Sequence, residues 1–78
     1  MLKIRDSVDL KELEKFGFAL EYYLDCWAWT KKYKRGKHYE EYINIWTKDR
    51  QIQCCGIEIL DTIYDLIQAG LVEKVGDE

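Results

Sequence analysis

Four side chains in this sequence could ligate a metal ion or supply a nucleophile and its base: Cys26, His38, Cys54 and Cys55. Cysteine and histidine zinc sites usually contain ligand pairs separated by roughly two to four residues, and the sequence contains no such pair. Cys54 and Cys55 are adjacent, so on a strand they point to opposite faces and cannot easily share one ion. An odd cysteine count without an export signal predicts reduced thiols and no metal site.

The remaining candidates for catalysis have ordinary structural explanations. Ser7 is the only serine and lies beside a predicted helix start, and His38 lies in a lysine-rich connection without a local nucleophile signature. The paired carboxylates fit strand and helix surfaces; they are Glu40/Glu41 and Asp61/Asp65. The sequence contains no glycine-rich phosphate loop and no dinucleotide fingerprint. It therefore predicts a protein that is not an enzyme and binds no cofactor.

The stretch "WAWTKKYKRGKHY", residues 27–39, combines four aromatic side chains with five basic ones, Lys31, Lys32, Lys34, Arg35 and Lys37. Aromatic rings stack on bases and cations neutralise phosphates, so this composition is typical of single-stranded nucleic-acid binding. The whole chain, however, carries a net charge of −3 and a pI near 5.1, whereas nucleic-acid modules usually have a positive excess. A lysine-rich hairpin end also guards against edge pairing. Nucleic-acid binding is therefore the alternative function.

The segment "SVDLKELEKFGF" predicts a short helix over about residues 10–16. Asp9 and Glu12 have the spacing of a capping box, and Val8 and Leu13 that of a hydrophobic staple. Gly17 is suited to the left-handed position that ends a helix, which would bring Phe18 back against Leu13.

The next segments alternate like strands. In "FALEYYLDCWAWTKKY" one parity carries Leu20, Tyr22, Leu24 and Cys26, and the other carries Tyr23, Trp27 and Trp29. A second strand fits "HYEEYINIWT" and a third fits "RQIQCC", with a tight connection at Lys48-Asp49. The segment over 18–33 is either one strand or two strands broken near Asp25, and the pattern does not decide between them.

The clearest helix is "IEILDTIYDLIQAG", which ends at Gly70 with Leu71 packing back on Leu66. A polar stripe is expected in water: Glu58, Asp61, Thr62, Asp65 and Gln68. The opposite, apolar side is expected to lie on the sheet: Ile57, Ile59, Leu60, Ile63, Tyr64, Leu66 and Ile67. The terminal pieces "LKIRD" and "LVEKV" either add edge strands or fray.

Together these elements predict a single α+β domain over residues 1–78. The expected architecture is a two-layer α-β-β-β-α fold, in which an antiparallel three-stranded meander carries both helices on one face. The composition is 47% hydrophobic, which suits a folded domain. The apolar runs are shorter than the roughly 20 residues of a membrane span, so we expect a cytoplasmic protein.

An open aromatic sheet face is the expected binding surface. If the helices cover the face of Leu20 and Tyr22, the residues pointing the other way are Tyr23, Trp27 and Trp29, with Trp46 beside them. Tryptophan and tyrosine are enriched at protein interfaces. The sequence therefore predicts a binding protein that uses this face to contact a protein partner or a second copy of itself.

The start "LKIRDSVDLKELEKFGF" and the end "YDLIQAGLVEKV" resemble a family of small uncharacterised proteins from phages and prophages of Gram-positive bacteria. The resemblance covers 29 of the 78 residues. It brings no catalytic residue or cofactor. It implies a phage protein in the host cytoplasm that binds host or phage machinery, with inhibition of a host system as one expected effect.

Overall fold

The computed structural model describes residues 2–35, 39–57 and 59–75, and for residues 34, 35, 39 and 40 it describes the backbone alone. It shows a small α+β fold with two helices and antiparallel strands, as predicted. The strands are β1 (Leu2–Ile4), β2 (Ala19–Tyr23), β3 (Cys26–Arg35), β4 (Tyr39–Trp46), β5 (Ile52–Cys55) and β6 (Val72–Lys74). The helices are a 3₁₀ helix (Leu10–Phe16) and α1 (Leu60–Gln68).

The main sheet has four strands in the order β2-β3-β4-β5, each paired antiparallel with the next. The predicted meander is therefore present with one more strand than expected, because the segment over 18–33 forms two strands. The chain reverses at Leu24 and Asp25, whose φ angles are 52° and 62°. Two consecutive left-handed residues are typical of the two-residue type I′ hairpin turn.

This turn changes which residues share a face. Tyr23 pairs with Cys26, Tyr22 with Trp27, and each pair lies on one side of the sheet. In a single long strand, Tyr22 and Trp27 would have opposite parity. The prediction that Tyr23 and Trp27 share a face is therefore wrong, because the two-residue turn shifts the alternation of β3 by one position.

The chain ends form a second, two-stranded sheet of β1 and β6, so both terminal pieces are strands. Arg50 joins this sheet to the main one. Its carbonyl accepts from the N–H of Ile4 at 2.9 Å, and its Nη1 donates to the carbonyls of Arg5 and Val8 at 2.8 and 2.6 Å. An isolated bridge between Lys3 and Gln51 continues the contact. β1 is thereby held beside the start of β5.

The first helix begins and ends as predicted, although it is a 3₁₀ helix. The Asp9 carboxylate accepts from the N–H of Lys11 at 3.0 Å, and the N–H of Gly17, at φ 92°, donates to Glu14 O. Glu12 binds Lys15 at 2.8 Å instead of returning to the cap, and its hydrogen bond and charge raise the pKa of Lys15.

α1 ends as predicted, with the N–H of Leu71 donating to the carbonyl of Leu66 at 3.2 Å. The predicted polar stripe is wrong at Thr62. This residue is buried, and its hydroxyl forms hydrogen bonds with the side chains of Lys31 and Tyr33 on β3. The predicted apolar side of α1 is only partly covered. Ile59 and Leu66 are buried, whereas several apolar residues are exposed: Ile57, Leu60, Tyr64 and Ile67.

The core brings together residues of both helices and of the strands β1, β3 and β4. Its buried residues are Ile4, Leu13, Phe18, Trp29, Ile43, Ile45, Ile59 and Leu66. The other face of the main sheet therefore carries the residues that alternate with these along the strands, among them Thr30, Asn44 and Trp46. No helix in the described part of the chain is long and apolar enough to cross a membrane.

Candidate protein-binding surface

The four aromatic residues predicted to share one open face occupy three different environments. Trp29 is only 6% exposed and belongs to the core, where it pairs with Ile45. Trp27 is 50% exposed on that same side of the sheet, edge-on to the ring of Tyr22 at 5.3 Å. The prediction that Trp27 and Trp29 share an open face with Tyr23 and Trp46 is thus wrong, because the two-residue turn shifts the alternation of β3 by one position.

Tyr23 and Trp46 do come together on the other face. Their rings stack at 6.0 Å with an interplanar angle of 24°. They lie beside an open concavity of about 260 Å³. We call this the open-face surface, defined by the residues that line the concavity: Glu21, Tyr23, Leu24, Thr30, Lys32, Tyr42, Asn44, Trp46 and Gln53.

Buried polar groups contribute to the lining of the concavity. Thr30 and Asn44 pair across β3 and β4, both are more than nine-tenths buried, and the Thr30 hydroxyl donates to Asn44 Oδ1 at 3.0 Å. Gln53 Oε1 accepts from Trp46 Nε1 at 3.2 Å, which fixes the indole ring. Because both bonds use amide oxygens, they leave the NH₂ groups of Asn44 and Gln53 unengaged by these contacts.

The charges beside the concavity largely offset each other. Lys32 Nζ lies 3.9 Å from Glu21 Oε1, and both side chains are about half exposed. Such exposed pairs contribute little to stability. The open-face surface is therefore close to neutral, with aromatic and amide groups dominating its chemistry.

Leu24 is an unusual residue for its position. It occupies a left-handed turn position, where asparagine or glycine is preferred, and its side chain is 77% exposed. The turn requires this backbone conformation but not a leucine side chain, and the side chain lines the concavity. Residues held in unfavourable backbone conformations are often found at binding sites.

The basic residues proposed for nucleic acid are divided between the two faces. Lys31 is partly buried on the core side, where Nζ donates to Phe16 O at 2.8 Å and Thr62 Oγ1 at 3.2 Å. Lys32 is exposed on the open face. The side chains of Lys34 and Arg35, and all of Lys37 and His38, lie outside the described residues.

The thiols show no shared site among the described residues. Cys26 is partly buried, and Cys54 and Cys55 are exposed on β5 with opposite parity. The described part of the chain contains no group of three or more His, Cys, Asp or Glu side chains able to hold a metal ion.

Sequence reasoning missed Leu24, Tyr42 and Asn44 as members of the open-face surface. The signal for Leu24 was available, since a two-residue turn at 24–25 would place it at the hairpin tip. Tyr42 and Asn44 required the register between β3 and β4, which pairs them with Lys32 and Thr30. Alternation alone does not supply that register.

Comparisons with known proteins identified no relative of this chain. No family model, curated protein or solved structure matches this chain.

Proposed function

We propose that this protein is a non-catalytic binding module that contacts a protein partner through the open-face surface. The observation that carries the proposal is the stacked aromatic pair of the exposed Tyr23 and the partly buried Trp46, which line a concavity that also has buried polar residues. Aromatic side chains bury a large area with little loss of rotamer freedom, so they often supply most of the binding energy at interfaces.

The concavity is small and open to solvent. Its volume of about 260 Å³ lies at the lower edge of the roughly 300–1,000 Å³ of typical small-molecule sites. It suits one side chain projecting from a partner surface. The exposed Tyr23 and Leu24 beside it would then contact the surrounding partner surface.

The neutral character of the surface favours a partner side chain without net charge. The Glu21–Lys32 pair offsets its own charges, while the amides of Asn44 and Gln53 supply donors. A phage protein that blocks a host protein in the cytoplasm, as the resemblance implies, would act through such a surface. Single-stranded nucleic-acid binding is the weaker candidate, because Lys31 is already engaged by Phe16 and Thr62.

The decisive experiment compares adjacent residues on opposite faces of β2. Tyr23→Ala removes an aromatic ring from the open-face surface, whereas the matched control Tyr22→Ala removes a similarly exposed ring from the other side of the sheet. Protein partners are recovered from a Gram-positive bacterial lysate with the full chain, and self-association is followed by sedimentation. We expect the Tyr23 variant to lose partner binding or self-association by about tenfold or more, and the Tyr22 variant to retain it.

A second variant separates binding from folding. Leu24→Asn should relax the turn and raise the free energy of unfolding by about 0.5–1 kcal/mol, while still weakening the partner complex. Equal losses in the Tyr22 and Tyr23 variants would contradict the proposal. So would binding to labelled single-stranded oligonucleotides that falls steeply with salt and is reduced by Lys32→Gln, which would favour the nucleic-acid function.

A further inference from the structure

α1 carries a line of exposed apolar side chains that no described element covers. Leu60, Tyr64 and Ile67 lie along the helix at spacings of four and three. Their exposed fractions range from 48% at Ile67 to 61% at Tyr64. Single exposed apolar residues are common, but an aligned group marks an interaction surface. We call Leu60, Tyr64 and Ile67 the α1 stripe.

The apolar side of α1 is wider than its packing requires. The buried contacts with the core come from Ile59, Thr62 and Leu66. Successive residues of a helix are rotated by about 100°. The α1 stripe therefore occupies a different part of the helix surface, next to the one that these buried residues occupy. A helix packed on one side of a small domain normally has polar residues on its remaining surface. The extra apolar arc therefore indicates a second contact outside this fold.

The spacing of the α1 stripe matches a partner helix. Apolar residues alternating at three and four positions form the seam of paired helices, where each side chain inserts between residues of the facing helix. An extended strand presents side chains every second residue and would not match this seam. The occupant is therefore helical.

The charges beside the α1 stripe specify the occupant's polar residues. Asp61 and Asp65 are exposed on its flank, and α1 contains no lysine or arginine. The sequence from 57 to 78 holds six acidic residues against one lysine. We propose that the α1 stripe binds a basic amphipathic helix of a partner protein, with lysine or arginine bordering the partner's apolar seam.

The same charges disfavour an antiparallel pairing of α1 with a second copy of this chain. In an antiparallel pair of α1 helices, each acidic flank would face the acidic flank of the other copy, and like charges at this range are destabilising. A basic partner helix would instead face Asp61 and Asp65 with opposite charge, which also increases the rate of association.

The test uses the full chain and a defined probe. The probe is a synthetic peptide of roughly 18 residues, long enough to form a helix on binding, with leucine at alternating spacings of three and four and lysine elsewhere. Titration calorimetry should show saturable one-to-one binding. Leu60→Gln with Ile67→Gln should weaken it by about tenfold or more. The matched control Leu20→Gln with Leu24→Gln removes two exposed leucines elsewhere and should leave it unchanged.

A second pair of variants tests the charges. Asp61→Asn with Asp65→Asn should weaken binding severalfold and flatten its salt dependence, whereas Glu14→Gln with Asp25→Asn makes the same change in net charge and should have no such effect. Leu24 belongs to the open-face surface, so the Leu20→Gln, Leu24→Gln control alters the surface of the proposed function and leaves the α1 stripe intact. A failure of the proposed function can therefore be distinguished from a failure of this inference.

Several outcomes would overturn the inference. They are the absence of saturable binding, equal binding of a peptide with glutamate in place of lysine, and equal losses in the control variants. Self-association of the chain that is abolished by the Leu60 and Ile67 changes would identify a second copy as the occupant, and would also overturn it.

Discussion

Lys31 is a structural residue in a segment whose composition suggests ligand binding. Its ammonium group lies at the carboxyl end of the 3₁₀ helix, donates to Phe16 O, and reaches Thr62 of α1. A cation at a helix carboxyl terminus satisfies carbonyls that have no intrahelical partner. One side chain of β3 thereby ties both helices to the sheet.

We predict that Lys31→Met lowers the free energy of unfolding by about 1–2 kcal/mol, because two hydrogen bonds to a charged donor are lost. The matched variant Lys32→Met removes an exposed lysine from the next position and should change stability by less than about 0.5 kcal/mol. Urea unfolding followed by circular dichroism measures both. Similar effects of the two variants would mean that Lys31 has no clamping role.

At the scale of elements, the end of β5 depends on the absence of a side chain at Gly56. Its φ of 120° is unfavourable for other residues, and a Cβ there would overlap the side chain of Glu41. Glu41 is only 1% exposed, so it has little room to move. Gly70 follows α1 at φ 76°, and among the described residues that are not its chain neighbours no atom lies within 4 Å of the same position.

Substitution of these two glycines by alanine should therefore lower the free energy of unfolding by different amounts. Gly70→Ala should cost about 1 kcal/mol from backbone conformation alone. Gly56→Ala combines that cost with overpacking and should cost about 3 kcal/mol or more. Thermal unfolding of the two variants gives the comparison, and a smaller loss for Gly56 would show that Glu41 can rearrange at little cost.

Arg50 fixes the position of β1 relative to the main sheet. We predict that Arg50→Met lowers the free energy of unfolding by about 1–2 kcal/mol, since its guanidinium no longer donates to the carbonyls of Arg5 and Val8. Lys48→Met changes an exposed residue of the same turn and serves as the control. Equal midpoints of urea unfolding for both variants would contradict this assignment.

Elements with local signals were predictable from sequence, and those that depend on long-range pairing were not. Asp9 and Gly17 mark the first helix correctly, because caps act within a few residues. The face of Trp27 and Trp29 was wrong, since it depends on whether residues 24 and 25 form a turn. The burial of Thr62 could not be anticipated either, because it depends on Lys31 and Tyr33 across the sheet.

At the scale of the whole molecule, the proposed binding surfaces are separate. The open-face surface is lined by residues of the main sheet and of the turn between β2 and β3, whereas the α1 stripe lies on α1, and the two surfaces share no residue. Sites that share no residue usually respond additively to substitution. The two surfaces can therefore be tested independently in one chain.

The pairing of β1 with β6 has a consequence for how the protein opens. Leu2 pairs with Lys74, so this ladder closes almost the whole chain, whereas each pair in the main sheet joins consecutive strands. Long loops are entropically costly to close, and distant contacts tend to form late in folding. The three-residue ladder should therefore open before the four-stranded sheet.

Native-state hydrogen exchange should show β1 and β6 amides exchanging from a partly open form while β3 and β4 stay protected, and uniform exchange would contradict this. Proteolysis under native conditions should accordingly begin near residues 2–8.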